Sequence, residues 1–342
     1  MKIATNHSDV EAIERFVAAH PHAGQGHRPE WLNILRDGMG HRPVSLTAWR
    51  DGQVVGYLPL VETRSIVFGR HLVSLPYLNE AGVLAEDEPT AIALTERAAE
   101  LGRQHRARFV ELRNRQPIAH DALNAIRTDK VRMVLDLPGD DDGLWSSIGP
   151  KVRNQIRKGE KHDLNIRWGS GELLDAFYGV FAINMRDLGS PAFPRKLFAA
   201  MLHHLGGDAE LCVIDLDGKP IAAAVLTHCG AITEVPSASS LRSFNHTCAN
   251  MLLYWHLLRQ AISRGARQFD FGRSTIDSGT YRFKKQWRAE PQATGWQQLA
   301  LHRDARPITA DDDRFDLAVR LWRKLPVWLT RLAGPTIVRG IP

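Results

Sequence analysis

The sequence predicts an α+β chain of two repeated domains, each with a mixed, largely antiparallel sheet flanked by helices. Two echoes carry that expectation. "VSLTAWRDGQVVGYLPLV" (44–61) and "ELCVIDLDGKPIAAAVLT" (210–227) are each an apolar β-rich run, then Asp-Gly, then a second apolar run, with Asp51 and Asp217 lying 166 residues apart. Asp-Gly between two such runs reads as a tight hairpin, because glycine tolerates positive φ. "AIALTERAAELGRQHRARFVELR" (91–113) and "LLYWHLLRQAISRGARQFDFGR" (252–273) each read as an amphipathic helix running into a strand. Ala107-Arg108 matches Ala266-Arg267, and Glu111 matches Asp270, at an offset of 159. The echoes come in the same order, so the repeating unit is hairpin, more sheet, helix, strand.

The expected division is 1–128, 129–305 and a distinct tail, 306–342. "VRMVLDL" (131–137) reads as the first strand of the second domain, and the acidic turn "PGDDDG" (138–143) follows it. A length of 342 residues suits two domains.

Bulk composition excludes more than it identifies. Hydrophobic content is 44%, charged content 24% and net charge +6, a mild excess that favours anionic partners without naming one. Cys212, Cys229 and Cys248 are unequally spaced and odd in number, so neither a disulfide framework nor a CxxC metal site is expected. The N-terminus "MKIATNHSDVEAIERF" has no apolar secretion core, and no apolar run reaches 18 residues. The expectation is a cytoplasmic protein, placed at the inner membrane face if its tail binds lipid. The fifteen histidines include His203-His204 and His20/His22, without the spacing of HExxH or a zinc finger, and no metal site is expected. No GxSxG elbow is present, which disfavours a hydrolase triad.

"PKVRNQIRKGEKHD" (150–163) concentrates positive charge. Set on a helix, Pro150 suits the first turn, and Arg153, Arg157 and Lys161 form one stripe beside the inward-facing Val152 and Ile156. Such a stripe is either a solvated helix face or a site for phosphate. No DNA-reading motif accompanies it, so duplex DNA is not an expected partner. In "MRDLGSPAFPRKLF" (185–198), Arg186 and Arg195 are further candidates for a phosphate or sugar acceptor. Arginine forks match phosphate oxygens in two-point contact.

"FDFGRSTIDSGTYRFKKQWRAEP" (269–291) is the most unusual segment. It leaves a buried-looking strand, turns through Gly272 and presents Tyr281, Phe283 and Trp287 beside Arg282, Lys284 and Lys285. Cations among aromatic rings on a loop leaving a strand suit the rim of a binding site.

The tandem halves, "KVRNQIRKGEK", "FDFGRS" and above all "YRFKKQW" resemble FemAB-type proteins, which carry two GNAT-like acyltransferase folds in one chain. The resemblance covers about residues 5–300. "PYLNEAGVLAED" (76–87) and "MRDLGSPAF" (185–193) are similar to the FemAB-like branch associated with exosortase/PEP-CTERM exopolysaccharide systems. The resemblance implies transfer of an acyl or aminoacyl group to an amine on a cell-envelope or exopolysaccharide precursor. It places Lys284, beside Phe283, at the position that stabilises charge on the attacked carbonyl. No tightly bound cofactor is implied, and the donor is acyl-CoA or aminoacyl-tRNA.

Chemistry agrees with that role. Attack of an amine on an ester or thioester builds negative charge on the carbonyl oxygen, which a preplaced cation stabilises. The amine must also lose a proton, and the candidate bases are Asp270, Glu234 or a group on the substrate. Tyr281, Lys285 and Trp287 join Arg153, Arg157, Arg186 and Arg195 as expected substrate contacts. The stretch "SLRSFNHTCANMLLYW" (240–255), where an acyl-CoA pyrophosphate would sit at a helix start, has no glycine, which weighs against acyl-CoA. Two alternatives stand beside the main expectation: an acyl-CoA-dependent N-acetyltransferase of an amino sugar, and a non-catalytic protein of this fold that binds an anionic polymer or membrane. In the tail, Leu317, Leu321, Leu325, Trp328 and Leu332 fall near one helical face among Arg320, Arg323, Lys324 and Arg331, with Pro326 as a kink. That pattern suits either packing back on the domain or contact with a membrane interface.

Overall fold

A computed structural model of the chain describes residues 1–6, 9–65, 69–123, 125–127, 130–301 and 316–341. These divide into two compact units: residues up to 127 with 293–301 and 335–341, and residues 130–292 with 316–334. The predicted tail from 306 to 315 lies outside the described residues.

The chain runs β1 (Lys2–Thr5), α1 (Val10–Ala19), α2 (Glu30–Met39), β2 (Arg42–Arg50), β3 (Gln53–Ser65), β4 (Gly69–Val73), β5 (Leu84–Ala85), α3 (Glu88–Gln104), β6 (Phe109–Asn114) and β7 (Ala125–Arg127). It continues with β8 (Lys130–Asp136), α4 (Asp141–Ser147), α5 (Pro150–Glu160), β9 (Leu164–Gly169), α6 (Leu174–Leu188), α7 (Arg195–Leu205), β10 (Ala209–Leu216) and β11 (Lys219–Cys229). Then come β12 (Ile232–Ser240), α8 (Ala249–Ser263), β13 (Gln268–Thr275), α9 (Gly279–Gln286), β14 (Glu290–Ala293), β15 (Gly295–Ala300), α10 (Asp316–Trp322) and α11 (Val327–Arg339).

The first sheet has the order β1-β2-β3-β4-β6-β15-β7, with β5 paired to β3 off that path. The second, taken from the other edge, runs β9-β10-β11-β12-β13-β8-β14. The two orders are the same position by position. Each has an antiparallel hairpin, β2–β3 and β10–β11, and one parallel contact, β4–β6 and β12–β13. Both hairpins turn at Asp-Gly with φ positive at both residues: 51° and 80° at Asp51-Gly52, 51° and 74° at Asp217-Gly218. This is the type I′ turn that matches strand twist.

The sixth position is filled differently in the two sheets. In the second it is β8, which precedes the rest of its unit. In the first it is β15, which follows all the strands of the second sheet and pairs with β6 from Gly295↔Asn114 to Ala300↔Phe109. The expected boundary at 305 therefore falls differently in the structure, with the strand 295–300 belonging to the first unit. Its local sequence, "GWQQLA", carries no sign of which sheet it joins.

One face of each sheet is covered by a long helix that follows its hairpin, α3 in the first and α8 in the second. Leu94, Ala98 and Leu101 of α3 pack in a core with Leu46, Leu58, Leu60, Leu72 and Leu112. Leu253, Leu257 and Leu258 of α8 do the same with Met133, Ile214, Leu226 and Phe269. Each of these side chains larger than alanine contributes roughly 1.5–3 kcal/mol when removed from water.

Candidate active site

In both units the parallel contact is short. In unit 2, β12 and β13 pair only at Ile232↔Gln268, Thr233↔Phe269 and Glu234↔Asp270. Beyond that point β12 stays paired with β11 and β13 stays paired with β8, so the two parallel strands part. Their C-terminal ends then border a split in the sheet, the place where open α/β sheets expose backbone to a ligand.

The parting is built into β13. Gly272 takes φ 75°, and the register with β8 shifts between Asp270 and Arg273. A side chain at that φ would cost about 1–2 kcal/mol, which explains glycine here. Asp270 caps its own bulge, its Oδ1 accepting from Gly272 N–H at 2.7 Å. It is fully buried, and Arg132 of β8, also buried, approaches its Oδ2 at 3.3 Å.

Lys284 closes the arrangement. Sequence reasoning placed Tyr281–Trp287 on a loop; Tyr281–Gln286 lie in the helix α9 and Trp287 is its C-cap, with Ser278 as the N-cap accepting from Tyr281 N–H at 3.2 Å. The helix turns Lys284 inward, where Nζ donates to the carbonyls of Gly272 (3.1 Å) and Arg273 (2.9 Å). Two of the ammonium's three N–H donors are thus engaged with β13. Burial lowers the Lys284 pKa to about 8; Asp270 opposes that shift and Arg273 adds to it.

Glu234 is the register partner of Asp270, so both carboxylates leave the same face of neighbouring strands at the base of the split. Glu234 is half-buried where Asp270 is sealed. Phe283 stands edge-on to Tyr254 at 5.0 Å, and Tyr254 stacks on Phe271 at 5.6 Å, giving the bulge an aromatic floor. Ser274, one residue past the lysine's acceptors, is buried with an unpartnered hydroxyl. Sequence reasoning missed it because nothing in "GRSTID" marks which serine turns inward.

Other predicted site residues are placed elsewhere. Trp287 has no exposed surface and packs on Tyr254 at 6.2 Å, so it belongs to the core and cannot form a rim. Lys285 is on the outer side of α9 and pairs with Glu290 at 2.8 Å. Tyr281 is half-buried against the core. Arg186 pairs with Asp187 at 2.6 Å and donates to the Leu325 carbonyl at 3.3 Å, while Arg195 pairs with Asp175 at 2.7 Å.

The basic segment 150–163 is the helix α5. Val152 and Ile156 are buried, Arg153 is half-buried, and Arg157 is exposed with its guanidinium 5.2 Å over Trp145. Gly159 lets α5 approach the start of α8, since a Cβ there would meet Leu252 and the Thr247 and Cys248 carbonyls. Cys248 takes φ 55° as the N-cap of α8. The turn into that helix is thus made without glycine. His162 and His246 rings lie 6.2 Å apart beside it.

Unit 1 repeats the buried pair and closes the split. Glu111, the counterpart of Asp270, pairs with Arg113 at 2.9 Å, and both are buried. Arg113 also donates to the Leu75 and Leu78 carbonyls, at 3.2 and 3.0 Å, and lies 4.0 Å over Trp296. Asn114 accepts from Val83 N–H at 2.9 Å, and Gly82 lies so near Asn114 that no Cβ would fit. The segment after β4 therefore fills the ground beside β6. In unit 2 the corresponding β13 carbonyls are met by the Lys284 side chain instead.

Among the described residues, no group of three or more His, Cys, Asp or Glu could hold a metal, and no helix is long and apolar enough to cross a membrane.

Residues 150–285 match the acetyltransferase (GNAT) domain family. No curated protein matches the sequence. Among solved structures the chain is similar to FemX, with TM-score 0.68 and 16% identity over 88% of this chain and 98% of that one. It is also similar to L-PGS from Bacillus licheniformis, with TM-score 0.57 and 13% identity over 95% and 96%. A tandem GNAT protein from the clavulanic acid biosynthesis pathway gives TM-score 0.53 and 13% identity over 87% and 97%. At such identities the likeness is one of fold. The chain thus has the fold of FemX and of a tandem GNAT protein, and its residues 150–285 match the acetyltransferase (GNAT) domain family.

Proposed function

We propose that unit 2 forms an amide by transferring an acyl or aminoacyl group to an amine on a cell-envelope or exopolysaccharide precursor. The observation that carries the reading is Lys284, a buried cation held by two carbonyls of β13 just beyond the point where β12 and β13 cease to pair. The amine nitrogen attacks the carbonyl carbon of the donor, and a C–N bond forms as negative charge gathers on oxygen. Lys284 meets that charge with its remaining N–H, in a site where little water competes. Collapse breaks the C–O bond of an aminoacyl ester or the C–S bond of a thioester.

Glu234 is the base that takes the amine's proton. It stands at the base of the split and is half-buried, while Asp270 is fully buried between Gly272 N–H and Arg132. Asp270 therefore serves as a positioning residue, holding the bulge whose carbonyls seat Lys284. Arg153 and Arg157, on the helix packed against the start of α8, bind phosphate of the donor or acceptor.

Aminoacyl-tRNA is the leading donor, as the resemblance of "YRFKKQW" to FemAB-type proteins implies. Acyl-CoA acting on an amino sugar is the second reading. It is favoured by Cys248, whose φ of 55° supplies the turn into α8 that a glycine would otherwise make. The purified chain, given radiolabelled aminoacyl-tRNA or acetyl-CoA and an amine-bearing sugar or peptidyl precursor, should release one donor product per amide formed. Binding of either donor with no turnover on any amine would instead leave a non-catalytic protein.

A further inference from the structure

We infer that α10 and α11 dock the protein on an anionic lipid surface. Among the described residues, Leu317, Leu321, Trp328 and Leu332 are 68, 56, 67 and 72% exposed, and all four fall within 16 residues. Both helices are anchored on one segment of unit 2. A Cβ on Gly189 would meet Val319 and Arg323, and one on Gly334 would meet the Ala192 backbone. Arg323 donates to the Leu188 carbonyl at 3.2 Å, and Thr330 is buried on the inner side of α11.

The outward faces follow from helix geometry. At about 100° per residue, Leu317 and Leu321 lie about 160° and 200° from Val319. Trp328 and Leu332 lie about 160° and 200° from Thr330 by the same count. Each helix therefore turns an apolar i, i+4 pair away from the segment it rests on. Leu188, 46% exposed, adds a fifth apolar side chain beside α10.

Charge chooses the occupant. Residues 316–341 hold Arg320, Arg323, Lys324, Arg331 and Arg339 against Asp316 alone. Arg320 and Lys324 are exposed and flank the Leu317/Leu321 face. The nearby acids Asp175 and Asp187 are each held by an arginine, at 2.7 and 2.6 Å. A second copy would set these cations against one another. An anionic bilayer offers phosphates to the cations and acyl chains to leucine and tryptophan, the pairing that basic amphipathic helices use at membrane interfaces. This docking rests on the tail alone and stands whether or not unit 2 transfers acyl groups.

The test is sedimentation of the full chain with vesicles of phosphatidylcholine, alone or mixed with phosphatidylglycerol, at low and raised salt. Binding should be at least about tenfold tighter to the anionic vesicles and weaken with salt, each basic residue at the surface being worth about fivefold. Trp328→Ser with Leu332→Ser, and separately Arg320→Glu with Lys324→Glu, should each cut binding by about tenfold or more. All four side chains are exposed, so thermal midpoints should hold, and the two variants change different segments should one misfold. Equal binding to neutral vesicles, no binding at all, or full binding by both folded variants would overturn the inference. So would a lipid-free dimer that the same substitutions dissociate.

Discussion

Lys284 Nζ donates to the Gly272 carbonyl at 3.1 Å, so a cation from α9 completes the backbone of a bulge twelve residues earlier in β13. The glycine's positive φ turns that carbonyl to the lysine, and the lysine leaves one donor for an incoming oxygen. Replacing Lys284 with Ala should lower kcat by about 10²–10³-fold, the usual cost of one oxyanion donor. Lys284→Arg should rescue little, because a planar guanidinium cannot seat on the same two carbonyls. Steady-state transfer assays on variants with a wild-type circular dichroism spectrum check both.

Titration of Lys284 gives a pH signature. Its protonated form is the one that stabilises charge, so the rate should fall as pH rises through about 8. Stability should move the other way. The folded pKa lies near 8 against a usual 10.5, so between those values the unfolded chain binds more protons and stability rises with pH. Below pH 8 the penalty of the buried charge is fully present. The gain, on the order of 1–3 kcal/mol, should vanish in Lys284→Met, measured as the difference between wild-type and variant denaturation midpoints across that window.

Glu234→Gln should lower kcat by about 10²–10⁴-fold with KM little changed, since the side chain acts on a proton and not on binding. Retained donor binding and a wild-type circular dichroism spectrum separate this from a structural defect.

The buried pairs should behave alike in the two units. Arg132→Ala removes the buried arginine from Asp270, and Arg113→Ala removes it from Glu111, so each should cost about 3–5 kcal/mol of unfolding free energy. Urea denaturation gives the cost. Only Arg132→Ala, in its folded fraction, should also slow transfer, because only that pair borders Lys284.

Much of this architecture is legible from local chemistry. Asp51-Gly52 and Asp217-Gly218 announce their hairpins, because both residues must take positive φ and few pairs do so at low cost. The match of Glu111 with Asp270 also survives as two buried carboxylates on equivalent strands, each with a buried arginine. The destination of β15 was hidden, because strand pairing across more than half of the chain leaves no mark on a six-residue run. Trp287 was misplaced for a related reason. Aromatic and basic residues interleaved over "TYRFKKQW" fit a rim or a helix equally well, and only the Ser278 cap and the inward turn of Lys284 and Trp287 decide it. Arg186 and Arg195 look free in sequence, but their carboxylate partners lie one and twenty residues away, and pairing of that kind follows the fold.

The most direct measurement is single-turnover amide formation with labelled donor, comparing the wild-type chain with folded Lys284→Ala near pH 7. A loss of about two orders of magnitude or more in the rate of transfer, with donor binding retained, is the expected result. Transfer at the wild-type rate by the variant would contradict the assignment of Lys284 to the reacting carbonyl.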